Sequence, residues 1–184
     1  TIALVGDSTV TNNAGWGAGF AACLSDKAQC INFSRGGRSS GSFEAEGRWQ
    51  EVLAQKPDFV LIQFGHNDQP GHGPERESEP NTTYREHIQR YVDEARTAGI
   101  EPILVTPISR REWGEDNHIH YSLEPYANVV KQIAAEKKVY LIDLHDRAIE
   151  VYESLGKDGC ALISPIKDNG KLDGTHLNEA GSNI

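Results

Sequence analysis

Residues 59–64, Phe-Val-Leu-Ile-Gln-Phe, form an apolar run that does not alternate. A strand with one wet face alternates polar and apolar residues. A strand covered on both faces has no reason to, so such a run is the mark of a parallel sheet held between helices. Four more apolar runs punctuate the chain, at 2–5, 30–33, 102–105 and 139–144. Stretches of helical period separate the later ones. In 83–98 the apolar positions are Ile88, Tyr91, Val92 and Ala95; in 123–137 they are Tyr126, Val129, Val130, Ile133 and Ala134. Both sets follow the i, i+3, i+4, i+7 spacing of a buried helix face. Thr83 and Glu86 predict a capping box at the start of the first, and Gly99 its stop. Strands alternating with helices predict a three-layer α/β/α domain on a five-stranded parallel sheet. A chain of 184 residues suits one such domain, 1–184.

Charge and composition remove several classes of function. The formal charge is −9 at neutral pH, the wrong sign for a general nucleic-acid binder. No apolar run approaches the roughly 20 residues of a membrane-spanning helix. The cysteines are Cys23, Cys30 and Cys160, with no CxxC pair, so a thiolate metal site is not expected. Cys23 and Cys30 can either pair across the first helix-to-strand connection or stay free as small apolar residues. His118 and His120 have the spacing of two ligands on one strand face. No third ligand is marked, so surface histidines and no metal are expected.

Three turns carry the candidate chemistry. Gly6-Asp7-Ser8-Thr9 ends the first run, Gly36-Gly37-Arg38-Ser39 follows the second, and Gly65-His66-Asn67-Asp68 follows the third. All should emerge at the carboxyl edge of a parallel sheet, where α/β proteins bind their ligands. Adjacent glycines let a backbone N–H approach a ligand closely, and an Asn amide adds two donors. The N–H of Ser8, the N–H of Gly37 and the amide of Asn67 can therefore surround one oxygen, as an oxyanion hole requires. A serine hydroxyl needs an adjacent base to act as a nucleophile. His176 can supply it, and Asp173, three residues earlier in Asp173-Gly174-Thr175-His176, can orient the imidazole. Each residue also has a plainer job: Ser8 or Asn67 as a helix cap, Gly37 as a turn glycine, Asp173 and His176 as a surface pair. Asp7 reads as structural, bonding nearby backbone N–H groups.

These four blocks, in this order, resemble the SGNH (GDSL-type) hydrolase superfamily. The finer features Gly15-Trp16-Gly17, Glu46-Gly47-Arg48-Trp49 and Phe64-Gly65-His66-Asn67-Asp68 resemble its rhamnogalacturonan acetylesterases. The resemblance implies a flavodoxin-like sheet of order 2-1-3-4-5. It implies a serine esterase without metal or organic cofactor that removes acetyl groups from a pectic polysaccharide. It assigns Ser8, Asp173 and His176 as catalytic, and Ser8, Gly37 and Asn67 as oxyanion donors. A monomer, acting outside the cytoplasm in a secreted or periplasmic location, is the corresponding expectation. The family pattern continues past Asp-x-x-His into a full helix, so most of that C-terminal helix is expected to be lacking here.

Two long loops, 65–81 and 106–121, should frame the site. Against the net negative charge, one or two of Arg38, Arg48, Arg110 and Arg111 are expected to bind a uronate carboxylate, for which a guanidinium fork is suited. Trp113 can stack on a sugar or simply pack; Trp16 is expected to pack.

Overall fold

The structure is a computed structural model that describes residues 1–184. Five strands form one sheet: β1 (Ile2–Gly6), β2 (Cys30–Asn32), β3 (Phe59–Gln63), β4 (Glu101–Val105) and β5 (Tyr140–Ile142). Their order is β2-β1-β3-β4-β5, as the resemblance implies, and every pairing is parallel. Register is set from the middle: Ile2 pairs with Phe59 and Gly6 with Gln63.

Seven helices surround it: α1 (Gly17–Ala22), α2 (Ser40–Ala45), α3 (Arg48–Gln55), α4 (Arg85–Thr97), α5 (Glu124–Lys137), α6 (Leu144–Leu162) and α7 (Glu179–Ser182). The α4 and α5 stripes named above are buried. They join Val5, Val60, Ile62, Phe43 and Trp49 in the largest apolar cluster, under one face of the sheet. A second cluster, with Leu4, Val10, Leu61 and Val105, lies on the opposite face. The two-sided burial inferred from 59–64 is thus found in β3.

One local expectation fails, and one open alternative is decided. The capping box of Thr83 and Glu86 is not formed. The chain enters α4 through a wide turn, Pro80–Tyr84, and the Thr83 hydroxyl accepts the Glu79 N–H at 2.9 Å instead. Tyr84, not a free N-cap, therefore precedes the helix. Cys23 and Cys30 do not pair; all three cysteines are free. The terminal α7 has four residues, and Leu141 and Ile142 of β5 are exposed.

Candidate active site

The sheet order places β1 between β2 and β3, so the turns after these three strands lie side by side. Gly6 makes the first turn possible. A Cβ there would lie 2.4 Å from the Gln63 carbonyl oxygen and 2.5 Å from Val10 Cγ2. The chain then enters one 3-10 turn, Ser8–Val10, capped by Asp7, whose Oδ1 accepts the Thr9 N–H at 2.8 Å and the Thr9 hydroxyl at 2.7 Å. Trp16 Nε1 donates to Gln63 Oε1 at 2.9 Å, and Gln63 Nε2 donates to Thr9 Oγ1 at 2.6 Å. A line of buried polar groups thus fixes the turn from behind.

Ser8 Oγ lies 2.8 Å from His176 Nε2, and His176 Nδ1 lies 2.8 Å from Asp173 Oδ2. The other Asp173 oxygen accepts the N–H groups of Thr175 at 2.8 Å and His176 at 3.1 Å. Burial works to raise the Asp173 carboxyl, but the bonds from the His176 ring and these two N–H groups hold it down at about 2. It is therefore an anion at any ordinary working pH and favours the imidazole tautomer with the proton on Nδ1.

The second and third turns close on Ser8. A Cβ on Gly36 would sit 3.6 Å from the Ser8 Cβ. Gly37 has φ of +78°, where L side chains are strained, and its N–H has no protein acceptor; nor has that of Ser8. Asn67 donates one amide hydrogen to the Arg38 carbonyl at 3.2 Å, which ties the two turns together and leaves its other amide hydrogen free. The three expected oxyanion donors are thus brought to adjoining turns, with hydrogens to spare.

Beneath them lies a buried pair that sequence reasoning did not separate. Asp68 is fully buried; its carboxylate accepts the Ser40 N–H at 3.1 and 3.2 Å, and the Ser40 hydroxyl. Burial pushes this carboxyl up to about 7 despite the Ser40 bonds, and the neighbouring Asp7 charge adds to the rise. Asp7 is also subject to burial, yet the His66 ring 3.4 Å away and the Thr9 bonds bring it below the usual carboxylate range. The sign for Asp68 follows from linkage. Its folded-state value lies above the unfolded one, so its contribution is fully present below about pH 4 and is lost as pH rises through about 7. Wild-type protein should therefore lose stability between about pH 4 and pH 7 through this group. Asp68→Asn, which copies the neutral acid, should lose less; thermal unfolding of both proteins across that range measures the difference, and equal slopes would refute it.

The expected substrate arginines are placed unequally. Arg38 lines the groove beside Ser8, but its Nε donates to both Glu46 oxygens at 3.1 Å and its NH1 to the Gly36 carbonyl at 2.9 Å. Arg48 is held by the same carboxylate at 2.6 Å. Arg110 bonds Gln69 Oε1 and bridges the two long loops, with Ser122 Oγ at 3.4 Å. Arg111 is a correction. It is buried beneath the Asp173–His176 turn and faces protein, not solvent. Trp113 is half-buried against the cluster of Ile108, Ile119 and Tyr152, with Lys157 Nζ 5.9 Å from its ring centre. His118 and His120 face different carboxylates, Glu153 at 3.1 Å and Glu112 at 4.0 Å.

A parallel α/β sheet with a Ser–His–Asp hydrogen-bond line and unused N–H donors at its carboxyl edge has the parts of an acyl-ester hydrolase. The model of the GDSL-like Lipase/Acylhydrolase family matches residues 4–184, and the chain belongs to that family. It is 37% identical over 190 residues to a probable rhamnogalacturonan acetylesterase, YesY, of Bacillus subtilis, spanning 99% of this chain and 87% of that protein. It is 33% identical to the rhamnogalacturonan acetylesterase RhgT of the same organism, over 97% of this chain and 83% of that one. Among solved structures, that of the Bacillus subtilis protein YxiM matches with a TM-score of 0.86 at 24% identity. That match covers 100% of this chain and 52% of that one, and it concerns the fold. The chain is accordingly a carboxylic ester hydrolase, an acetylesterase of the GDSL family.

Proposed function

We propose that the protein removes O-acetyl groups from a plant cell-wall polysaccharide, rhamnogalacturonan before others, through an acetyl-enzyme on Ser8. The observation that carries the mechanism is the unbroken line from Ser8 Oγ through His176 to Asp173, at 2.8 Å in each step. Ser8 Oγ attacks the acetyl carbonyl while its proton passes to His176 Nε2. The carbonyl oxygen becomes an oxyanion between the Ser8 N–H, the Gly37 N–H and the free Asn67 amide hydrogen. The imidazolium, stabilised by Asp173, gives its proton to the sugar oxygen, and the C–O bond to the sugar breaks. Water then donates a proton to His176 and attacks the acetyl-serine, and acetate leaves as Ser8 recovers its proton.

Two observations support a carbohydrate over a lipid. The groove that opens on Ser8 has a volume of about 540 Å³, and Ala14 is its one hydrophobic lining residue among Asn12, Asn13, Asn32, Ser34 and two arginines. Such a surface suits sugar hydroxyls and gives a long acyl chain little to pack against. Of the relatives named above, RhgT is a rhamnogalacturonan acetylesterase and YesY a probable one. Acetate release from acetylated pectin, acetylated xylan and free acetylated sugars tests the reading, with acetyl to octanoyl nitrophenyl esters alongside. The expected order puts acetylated pectin first, with rates falling as the acyl chain lengthens; preference for xylan, or for octanoyl, would replace it. Asn67→Ala should lower kcat by about 10²–10³ with little change in KM, the usual loss for one oxyanion donor. Steady-state kinetics on acetylated pectin checks it.

A further inference from the structure

Arg35 stands apart from every other arginine in the chain. Arg38, Arg48, Arg76, Arg85, Arg90, Arg110 and Arg147 each pair with a carboxylate. Arg96 donates to the Lys138 carbonyl, and Arg111 is bonded to Ser164, Tyr152 and two carbonyls. The Arg35 guanidinium has no protein partner, although it lines the same groove as Ser8.

Arg35 is an exposed residue on a fixed backbone. Its backbone N–H donates to the Gly6 carbonyl at 2.9 Å, and its carbonyl accepts the Arg38 N–H at 3.3 Å. It therefore starts the turn that presents the Gly37 N–H. Beside it, Asn32 is saturated: its amide donates to the Val10 carbonyl at 2.8 Å and to Asn12 Oδ1 at 2.7 Å, and its oxygen accepts the Ser34 N–H at 3.0 Å. The result is a polar floor, fixed at Asn32 and exposed at Asn12 and Asn13. Asn12 is oriented by that bond with its amide hydrogens left over, and Asn13 makes no side-chain hydrogen bond of its own.

We infer that this groove is a subsite for an acidic sugar. The floor of Asn12 and Asn13 bonds ring hydroxyls, and Arg35 takes the carboxylate of a uronate while the acetyl group reaches Ser8. A guanidinium fork matches a carboxylate in two parallel bonds, which an unpaired surface ammonium does not. The other arginine of the groove is less available, because Glu46 and the Gly36 carbonyl engage its Nε and NH1. A protein of net charge −9 also needs a local cation at its mouth if a polyanion is to approach. The inference rests on the pectic reading above and goes further, by naming the residue that reads the charge.

The test is kept independent of which acetylated polymer is turned over. Nitrophenyl acetate hydrolysis is inhibited competitively with unacetylated oligogalacturonate and, in parallel, with neutral xylo-oligosaccharide. For wild type, oligogalacturonate should be the stronger inhibitor. Arg35→Gln should raise its Ki by about 10- to 100-fold, the loss expected for a charge-assisted pair, and leave the Ki of the neutral sugar where it was. Arg35→Lys should recover part of the difference. An unchanged Ki for oligogalacturonate in Arg35→Gln, or an equal rise for both sugars, overturns the subsite. Failure of the pectic reading shows separately, as wild-type preference for acetylated xylan in the acetate-release comparison.

Discussion

Ser8→Ala should abolish acetyl-ester hydrolysis, by about 10⁶-fold in kcat as for the nucleophile of other serine hydrolases, and leave the fold unchanged. The reason for the rate is local. Ser8 Oγ has one partner, His176 Nε2, and no other hydroxyl bonds that nitrogen. The reason for the intact fold is that nothing structural hangs on the hydroxyl. The turn is held by Asp7 through Thr9, by Gln63 and by the Ser8 carbonyl, which accepts the Thr11 hydroxyl at 2.7 Å. Alanine keeps the backbone and therefore all of these bonds. Thermal unfolding should be nearly superimposable on wild type, while nitrophenyl acetate turnover falls to the level sustained by the oxyanion donors alone. His176→Ala should cost about as much, and the double variant no more than either, because residues that act as one unit are not additive. Multiplicative losses in the double variant, or turnover by Ser8→Ala near the wild-type rate, would remove Ser8 from the nucleophile's role.

The parts of the site that sequence reasoning found share a physical property: each is announced by its own neighbours. Ser8, Gly37 and Asn67 all follow an apolar run that ends in glycine or a small polar residue. A parallel sheet puts every such exit on one edge, so their convergence follows from strand order alone. The Asp173–His176 spacing is equally local, because one turn brings both to one nitrogen and one carboxylate. The arginines lack this property. Whether a guanidinium is free or occupied depends on groups from distant segments. Glu46 takes Arg38 and Arg48, while Ser164 and Tyr152 on and beside α6 take Arg111. Arg35 is left free because no carboxylate lies within 4.0 Å of it. No pattern in 34–39 signals that. Trp16 is intermediate: it packs, meeting Phe20 edge-on, but its N–H also holds Gln63 behind the nucleophile. The failed capping box is a similar case, since a Thr four residues after Glu79 can serve the wide turn as well as it can cap a helix.

Replacing Arg111 should cost the enzyme both stability and turnover, because one side chain bonds both ends of the Asp173–His176 turn. Its Nε donates to Ser164 Oγ at 2.8 Å, and NH1 to the Tyr152 hydroxyl at 3.2 Å. NH2 donates to the Asp173 carbonyl at 3.0 Å and also to the His176 carbonyl. Its backbone N–H donates to the Gly174 carbonyl at 2.7 Å, and the guanidinium carbon lies 5.2 Å from the centre of the Tyr152 ring. Arg111→Met keeps the stem and the backbone bond and removes every guanidinium donor. The carbonyls of Asp173 and His176 are then left in a buried place without those partners, at about 1–3 kcal/mol each. The two carbonyls together should cost about 2–6 kcal/mol, since each loses a charge-assisted donor and no charge is stranded. The chemical consequence is separate from the loss of fold. Freed of its tie, the turn can carry the His176 ring away from Ser8, and a displacement near 1 Å is enough to lose about 10² in rate. At a temperature where the variant remains folded, kcat should therefore fall on that scale while KM on nitrophenyl acetate stays close to wild type. Arg111→Lys, with a single point charge in place of the fork, should restore part of the stability and little of the rate. A folded Arg111→Met enzyme with normal kcat would show that Asp173 and His176 hold their geometry unaided.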